Sequence, residues 1–140
     1  MDRIKYRFTA NDKNLLWRRF KTILTDWSDE IENPSVQWCL KDTRLHDICD
    51  KLEGEFNGIV YDEDNTGYVD FEFGPFLKLS VDFSILELVD RRSENELSDC
   101  KVEVTFDFHD LSHEITHRLS KTMNVKLKKV KAGYMQYNQH

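Results

Sequence analysis

Val102-Glu103-Val104-Thr105-Phe106-Asp107-Phe108-His109-Asp110 is the run whose reading decides the fold. Val102, Val104, Phe106 and Phe108 alternate with charged and polar residues, free of Gly and Pro. That is the period of a strand with one buried and one wet face. After it, Asp110 reads as an N-cap, and Leu111, Ile115, Leu119 and Met123 fall at the spacing of a helical stripe. The reading here is therefore a central strand followed by a third helix, then a last strand over 125–130.

Upstream, Leu77, Leu79, Val81 and Phe83 alternate with Lys78, Ser80 and Asp82, and Val69, Phe71 and Phe73 alternate with Asp70 and Glu72. Such strands suit an antiparallel sheet with one wet face. Ile59 to Tyr61 reads as a strand leading to a turn at 62–67, and 84–89 reads as strand continuation or a short helix. Further out, Ile4, Tyr6 and Phe8 alternate. Asn11 and Asp12 precede Leu16, Phe20, Ile23, Leu24 and Trp27, which have helical spacing. Val36, Trp38 and Leu40 alternate as a short strand. Asp42 or Thr43 then caps a helix that carries Leu45, Ile48, Cys49 and Leu52 on one face. The expected order is β-α-β-α-β-β-β-β-α-β. This is an α+β fold, with an antiparallel or mixed sheet of about six strands and two to three helices packed mainly on one face.

The 140 residues include nine Phe, five Tyr and three Trp, enough large groups for one core, so the expectation is a single domain over 1–140. No apolar run approaches the roughly 20 residues of a membrane span. The N-terminus reads MDRIKYRFTANDK, with charges where a signal peptide has its apolar region. Cys39, Cys49 and Cys100 are odd in number and lack CxxC spacing, which argues against a disulfide framework. These features lead to the expectation of a cytoplasmic protein. Cys49 reads as a small core residue.

Charge is uneven. Residues 1–25 carry a net +5, residues 26–114 a net −17 and residues 115–140 a net +6. The acidic middle would attract a basic partner and repel nucleic acid. The wet-side acids Asp62, Asp64, Asp70, Glu72 and Asp82 are the expected partner-binding residues. No membrane partner is expected, and the state is a monomer or a dimer through an exposed edge strand.

Two segments carry metal-like spacing. His113-Glu114-Ile115-Thr116-His117 resembles, over five residues, the zinc-binding helix of zincin peptidases. That resemblance would make His113 and His117 zinc ligands and Glu114 the base. A third ligand is lacking, because no Asp or Glu follows Glu114 and the only later His is His140. On a helix both histidines would also fall opposite the apolar stripe. The segment 62–73 partly resembles an EF-hand calcium loop, with Asp62, Asp64 and Asp70 as ligands. Phe73 stands where the bidentate Glu belongs, and a hairpin with Asn65-Thr66-Gly67 at its tip accounts for the same residues. Asp82 with Asp99 and Lys101 vaguely resembles the acidic-acidic-lysine set of metal-dependent nucleases. Trp27 and Trp38 flank the 28–35 loop, so at least one is expected to be partly exposed.

No catalytic residues are assigned and no cofactor is expected, with zinc and calcium as alternatives. The expectation is a non-enzymatic, acidic protein-binding module. In size and charge it is similar to bacterial immunity proteins that neutralise basic nuclease toxins by blocking the active site. The alternative is a small metal-dependent hydrolase using 113–117.

Overall fold

The computed structural model describes residues 6–10, 14–57, 60–61, 66–89 and 97–131. The elements run β1 (Tyr6–Ala10), α1 (Leu15–Glu30), α2 (Pro34–Cys39), α3 (Asp42–Asn57), β2 (Val60–Tyr61), β3 (Thr66–Glu72), β4 (Leu77–Val89), β5 (Leu97–Asp110) and β6 (Ile115–Lys131). The fold is α+β with an antiparallel sheet and three helices. Among the described residues no helix is long and apolar enough to cross a membrane.

The strand order is β2-β1-β6-β5-β4-β3, with every pairing antiparallel. The body of this sheet is four strands, β3 to β6. At its margin β1 pairs with only the last five residues of β6, and β2 contributes two residues beside β1. The expected sheet of about six strands is thus carried mainly by four, and two segments belong to another class than expected. Val36, Trp38 and Leu40 lie in or just after a helix. Asn33 caps that helix, its Oδ1 accepting from the Ser35 and Val36 amides at 3.0 and 3.3 Å, with Pro34 at the first helical position. The cap and the proline outweigh a three-residue alternation.

The second change is larger. The expected third helix is strand β6, and 111–114 is the tight turn of a long β5–β6 hairpin. Leu119, Met123, Val125 and Leu127 all face inward from this strand, opposite Phe106, Val102, Cys100 and Ser98. A spacing of four is also an even number, so Leu119 and Met123 of the apolar stripe that suggested a helix share one strand face, whereas Leu111 and Ile115, at the turn, are exposed. The segment 84–89 continues β4, with a register irregularity between Ile85 and Glu87. Among the described residues, β2 pairs with β1 and not, as expected, across a turn with β3.

One face of the sheet makes the core. Val69 from β3, Leu79, Val81 and Phe83 from β4, and Val102, Val104, Phe106 and Phe108 from β5 are buried there. The helices press Leu16, Phe20, Leu24 and Trp27 from α1 and Leu45, Ile48, Cys49, Leu52 and Phe56 from α3 onto them. Aromatic rings carry the contact. Phe20 and Phe56 lie 6.0 and 5.8 Å from Phe83, and Trp27 lies 6.0 Å from Phe106 and 6.4 Å from Phe108. The two long helices are locked by Trp17. Its Nε1 donates to Asp50 at 2.7 Å, and its amide, an unfilled donor at the start of α1, donates to Glu53 at 3.0 Å.

Phe106 is the most central of these rings, on a strand paired on both sides. Phe106→Ala removes a fully buried ring and leaves a cavity under Trp27. We expect a loss of about 3–5 kcal/mol, read as a lower midpoint in urea denaturation at unchanged slope.

Candidate interaction surface

Among the described residues every helix lies on one side, and none covers the opposite face of the sheet. Its side chains form straight rows across the strands. One row runs Tyr68, Asp82, Thr105, Ser120, the next Asp70, Ser80, Asp107, Arg118, and a third Glu72, Lys78, His109, Thr116. The expected residues Asp70, Glu72 and Asp82 therefore share this face, as the alternation required. Asp62 and Asp64 lie outside the described residues.

Two of the acids on this face are already paired. Asp70 receives Lys78 at 3.2 Å, and its Oδ1 is shut from solvent without a donor. The nearby Tyr68 hydroxyl, with Ser80 and Lys78, holds the Asp70 carboxyl below the usual carboxylate range. Lys78 is correspondingly raised by Asp70. Asp107, only 8% exposed, takes a bidentate fork from Arg118 at 2.6 and 3.1 Å, which raises the Arg118 pKa. Thr105 and Ser120 hydroxyls meet at 3.0 Å, and His109 and Thr116 at 3.1 Å. Among the described residues, Glu72, Asp82 and Glu103 have no ion pair, and their carboxylates accept no hydrogen bond. Glu103 and Asp107 were missed in the sequence reading of the surface. The signal was present, because both alternate with Val102, Val104, Phe106 and Phe108.

The 113–117 segment is arranged by the hairpin rather than by a helix. Asp110, 2% exposed, accepts from the His113 amide at 3.3 Å and meets His113 Nδ1 at 2.9 Å. Its Oδ2 also accepts from Asn33 at 3.0 Å, and the same Asn33 amide lies 3.3 Å from His117 Nε2. Asn33 therefore caps α2 with its oxygen and ties the hairpin down with its nitrogen. Hydrogen bonds from Asn33 and then His113 lower the Asp110 pKa. His113 sits in the turn and His117 on β6 facing the helix layer, so the helical i, i+4 geometry of the zincin motif is not formed. Among the described residues no group of three or more His, Cys, Asp or Glu is placed to hold a metal ion. The nuclease-like set is also dispersed. Asp82 pairs with Thr105, four residues and about 13 Å along β5 from Lys101.

The three thiols are core groups. Burial pushes Cys39, Cys49 and Cys100 up to about 11, about 12 and about 11. At neutral pH they stay protonated and poorly nucleophilic. Trp38 is 53% exposed with the Arg44 guanidinium 4.0 Å from its ring, whereas Trp27 is buried. Phe76, Leu111 and Ile115 are exposed where the β3–β4 and β5–β6 turns meet, joined by a Leu111 amide to Phe76 carbonyl bond of 2.8 Å.

Comparison of the chain with protein-family models, curated proteins and solved structures finds no match in any of the three.

Two outcomes follow from the turn. Glu114 adopts φ 54°, a left-handed conformation that costs a side-chain-bearing residue about 1–2 kcal/mol. Glu114→Gly should raise the denaturation midpoint by an amount worth about 1 kcal/mol. Asp110 has a folded pKa below its ordinary 3.8, so its stabilising contribution is complete above that value and disappears as pH falls through the folded one. The gap in urea midpoint between the wild type and Asp110→Asn should therefore narrow as pH drops from about 6 to about 2.

Proposed function

We propose that this chain is a non-enzymatic protein-binding module that meets a basic partner protein through the open face of its sheet. The partner class that best fits is a cationic, nuclease-type toxin whose active site the module blocks, as an immunity protein does. The observation that carries this reading is the one-sided fold. Three helices cover one face of four long strands, and the other face presents acids on a rigid floor. The pairs Asp70–Lys78 and Asp107–Arg118 absorb that face's nearest cations and fix its side chains. The carboxylates of Glu72, Asp82 and Glu103 are left to act on a partner.

The surrounding charge supports the same reading. The segment 26–114 carries a net −17, and the exposed acids of α1 and α3, among them Asp26, Asp29, Glu30, Asp47 and Glu55, add to the field. Such a field speeds encounter with a cationic protein and orients it before contact. A prearranged surface loses little entropy on binding. A cytoplasmic site of action belongs to this proposal, in keeping with three unpaired, buried thiols.

The test reverses the free charges together. Glu72→Lys, Asp82→Lys and Glu103→Lys in one variant should slow association with a partner captured from the native cell by at least tenfold at low salt. The melting point should hardly move, since exposed charges contribute little to stability. The captured partner should be basic, and its nuclease activity should fall when the wild-type chain is added. Capture of acidic partners alone, or association that is indifferent to the triple variant and to salt, would overturn the proposal.

A further inference from the structure

The antiparallel ladders determine which main-chain groups leave the sheet. The Phe73 amide donates to the Leu77 carbonyl at 2.9 Å, and the Leu111 amide to the Phe76 carbonyl at 2.8 Å. Antiparallel residues face their two neighbours alternately. Counting along the registers, Tyr68, Asp70 and Glu72 of β3 turn their N–H and C=O groups away from β4. On β6, Thr116, Arg118, Ser120, Thr122 and Asn124 turn theirs away from β5. The Asn124 carbonyl fits this pattern, since it accepts from Arg19 at 2.8 Å.

Among the described residues both stretches are uncovered. β3 ends the sheet, and β1 covers β6 only from Leu127 to Lys131. Among the described residues, no hydrogen bond reaches the outward main-chain groups of 68–72 or 116–122. The two stretches also lie at the same level, because the rows run straight across from Asp70 to Arg118 and from Glu72 to Thr116.

Side-chain charges match as well. Arg118 gives Nε and Nη2 to Asp107, so its Nη1 remains. Asp70 gives Oδ2 to Lys78, while its Oδ1 is shut from solvent, so it offers an incoming strand its negative charge rather than a free oxygen. One edge therefore carries an acid, and the other a cation with a spare donor, in the same row.

We propose that a second copy of this chain adds its β3 to the open stretch of β6, antiparallel, with Asp70 of one copy opposite Arg118 of the other. Tyr68 then stands opposite Ser120 and Glu72 opposite Thr116. Pairing β3 with another β3 would set Asp70 and Glu72 against each other, and pairing β6 with β6 would oppose Arg118 to a like charge, so the acidic edge selects the basic one. Beside this edge, α1 and β6 enclose a groove of ≈ 370 Å³ floored by Leu15, Ile23 and Met123, which the incoming copy would cover. The contact is head-to-tail. Each copy keeps one free edge of each kind, and growth continues unless the rotation between copies closes a ring.

Light scattering across protein concentration tests this. The average mass should rise above the 16.7 kDa of one chain with concentration, and return toward it at about 0.5 M salt. Asp70→Arg and Arg118→Asp should each weaken association at least tenfold, and a one-to-one mixture of the two should regain it, since each then meets its opposite. Regain in the mixture also shows that both variants are folded. Should either fail to fold, Ser120→Pro against Ser120→Ala gives a second reading, because proline removes the outward N–H and leaves every charge in place. Loss in the proline variant alone supports the edge contact. A chain that stays at one-copy mass at about 1 mM, where even a weak contact worth roughly 4 kcal/mol registers, overturns the proposal. Association that survives Asp70→Arg, Arg118→Asp or Ser120→Pro also overturns it, as does a mixture that stays at one-copy mass.

Discussion

The contact of Trp27 with Phe106 and Phe108 is the constraint from which the rest of the structure follows. It joins the longest helix-borne ring to the centre of the longest hairpin, at 6.0 and 6.4 Å. Burying rings of this size is the largest single gain open to a chain of 140 residues. Every inward residue of β5 is apolar from Val102 to Phe108, and every outward one is polar, so the helices can settle on one side only. The open face is the direct consequence of that choice.

An uncovered face must satisfy its own polar groups, and this one does so across strands. The Arg118 fork on Asp107 stitches β5 to β6, and Lys78 on Asp70 stitches β4 to β3. Thr105 with Ser120 and His109 with Thr116 add further links to the same hairpin. These pairs are partly exposed, with Asp107 nearly buried beneath its fork, and the exposed ones contribute modestly to stability. Their effect is to hold the outward side chains in place, which a surface built for recognition needs.

The fold also sorts the charge. Along the chain, the basic segments are the first 25 residues and the last 26, far apart in sequence. In the structure the described parts of both, β1 and α1 from the first and β6 from the second, come together. β1 pairs with the end of that strand, and Arg19 of α1 reaches the Asn124 carbonyl. Among the described residues, basic side chains therefore gather along the β6 edge. Asn33 plays a comparable joining role at the opposite end of the hairpin, where one side chain caps α2, binds the buried Asp110 and lies beside His117.

Several features needed nothing but the sequence. The strands around Val69, Val81 and Phe106 were legible because alternation at period two has no helical interpretation over that many residues. The acidic wet face was legible from the same alternation, since one set of residues must be out when the other is in. The two long helices were legible from apolar positions spaced three and four apart. Residues 111–127 were not. A repeat of four positions satisfies a helix face and a strand face alike, and Asp110 can cap a helix or a turn with the same carboxylate. What decided between them was β5. A strand with Phe106 and Phe108 on one side and open backbone groups on its flank needs a partner strand there, and β6 supplies it along fourteen pairs. Those hydrogen bonds lie between residues distant in sequence, so the choice, and with it the fate of His113 and His117, was made only when the hairpin closed.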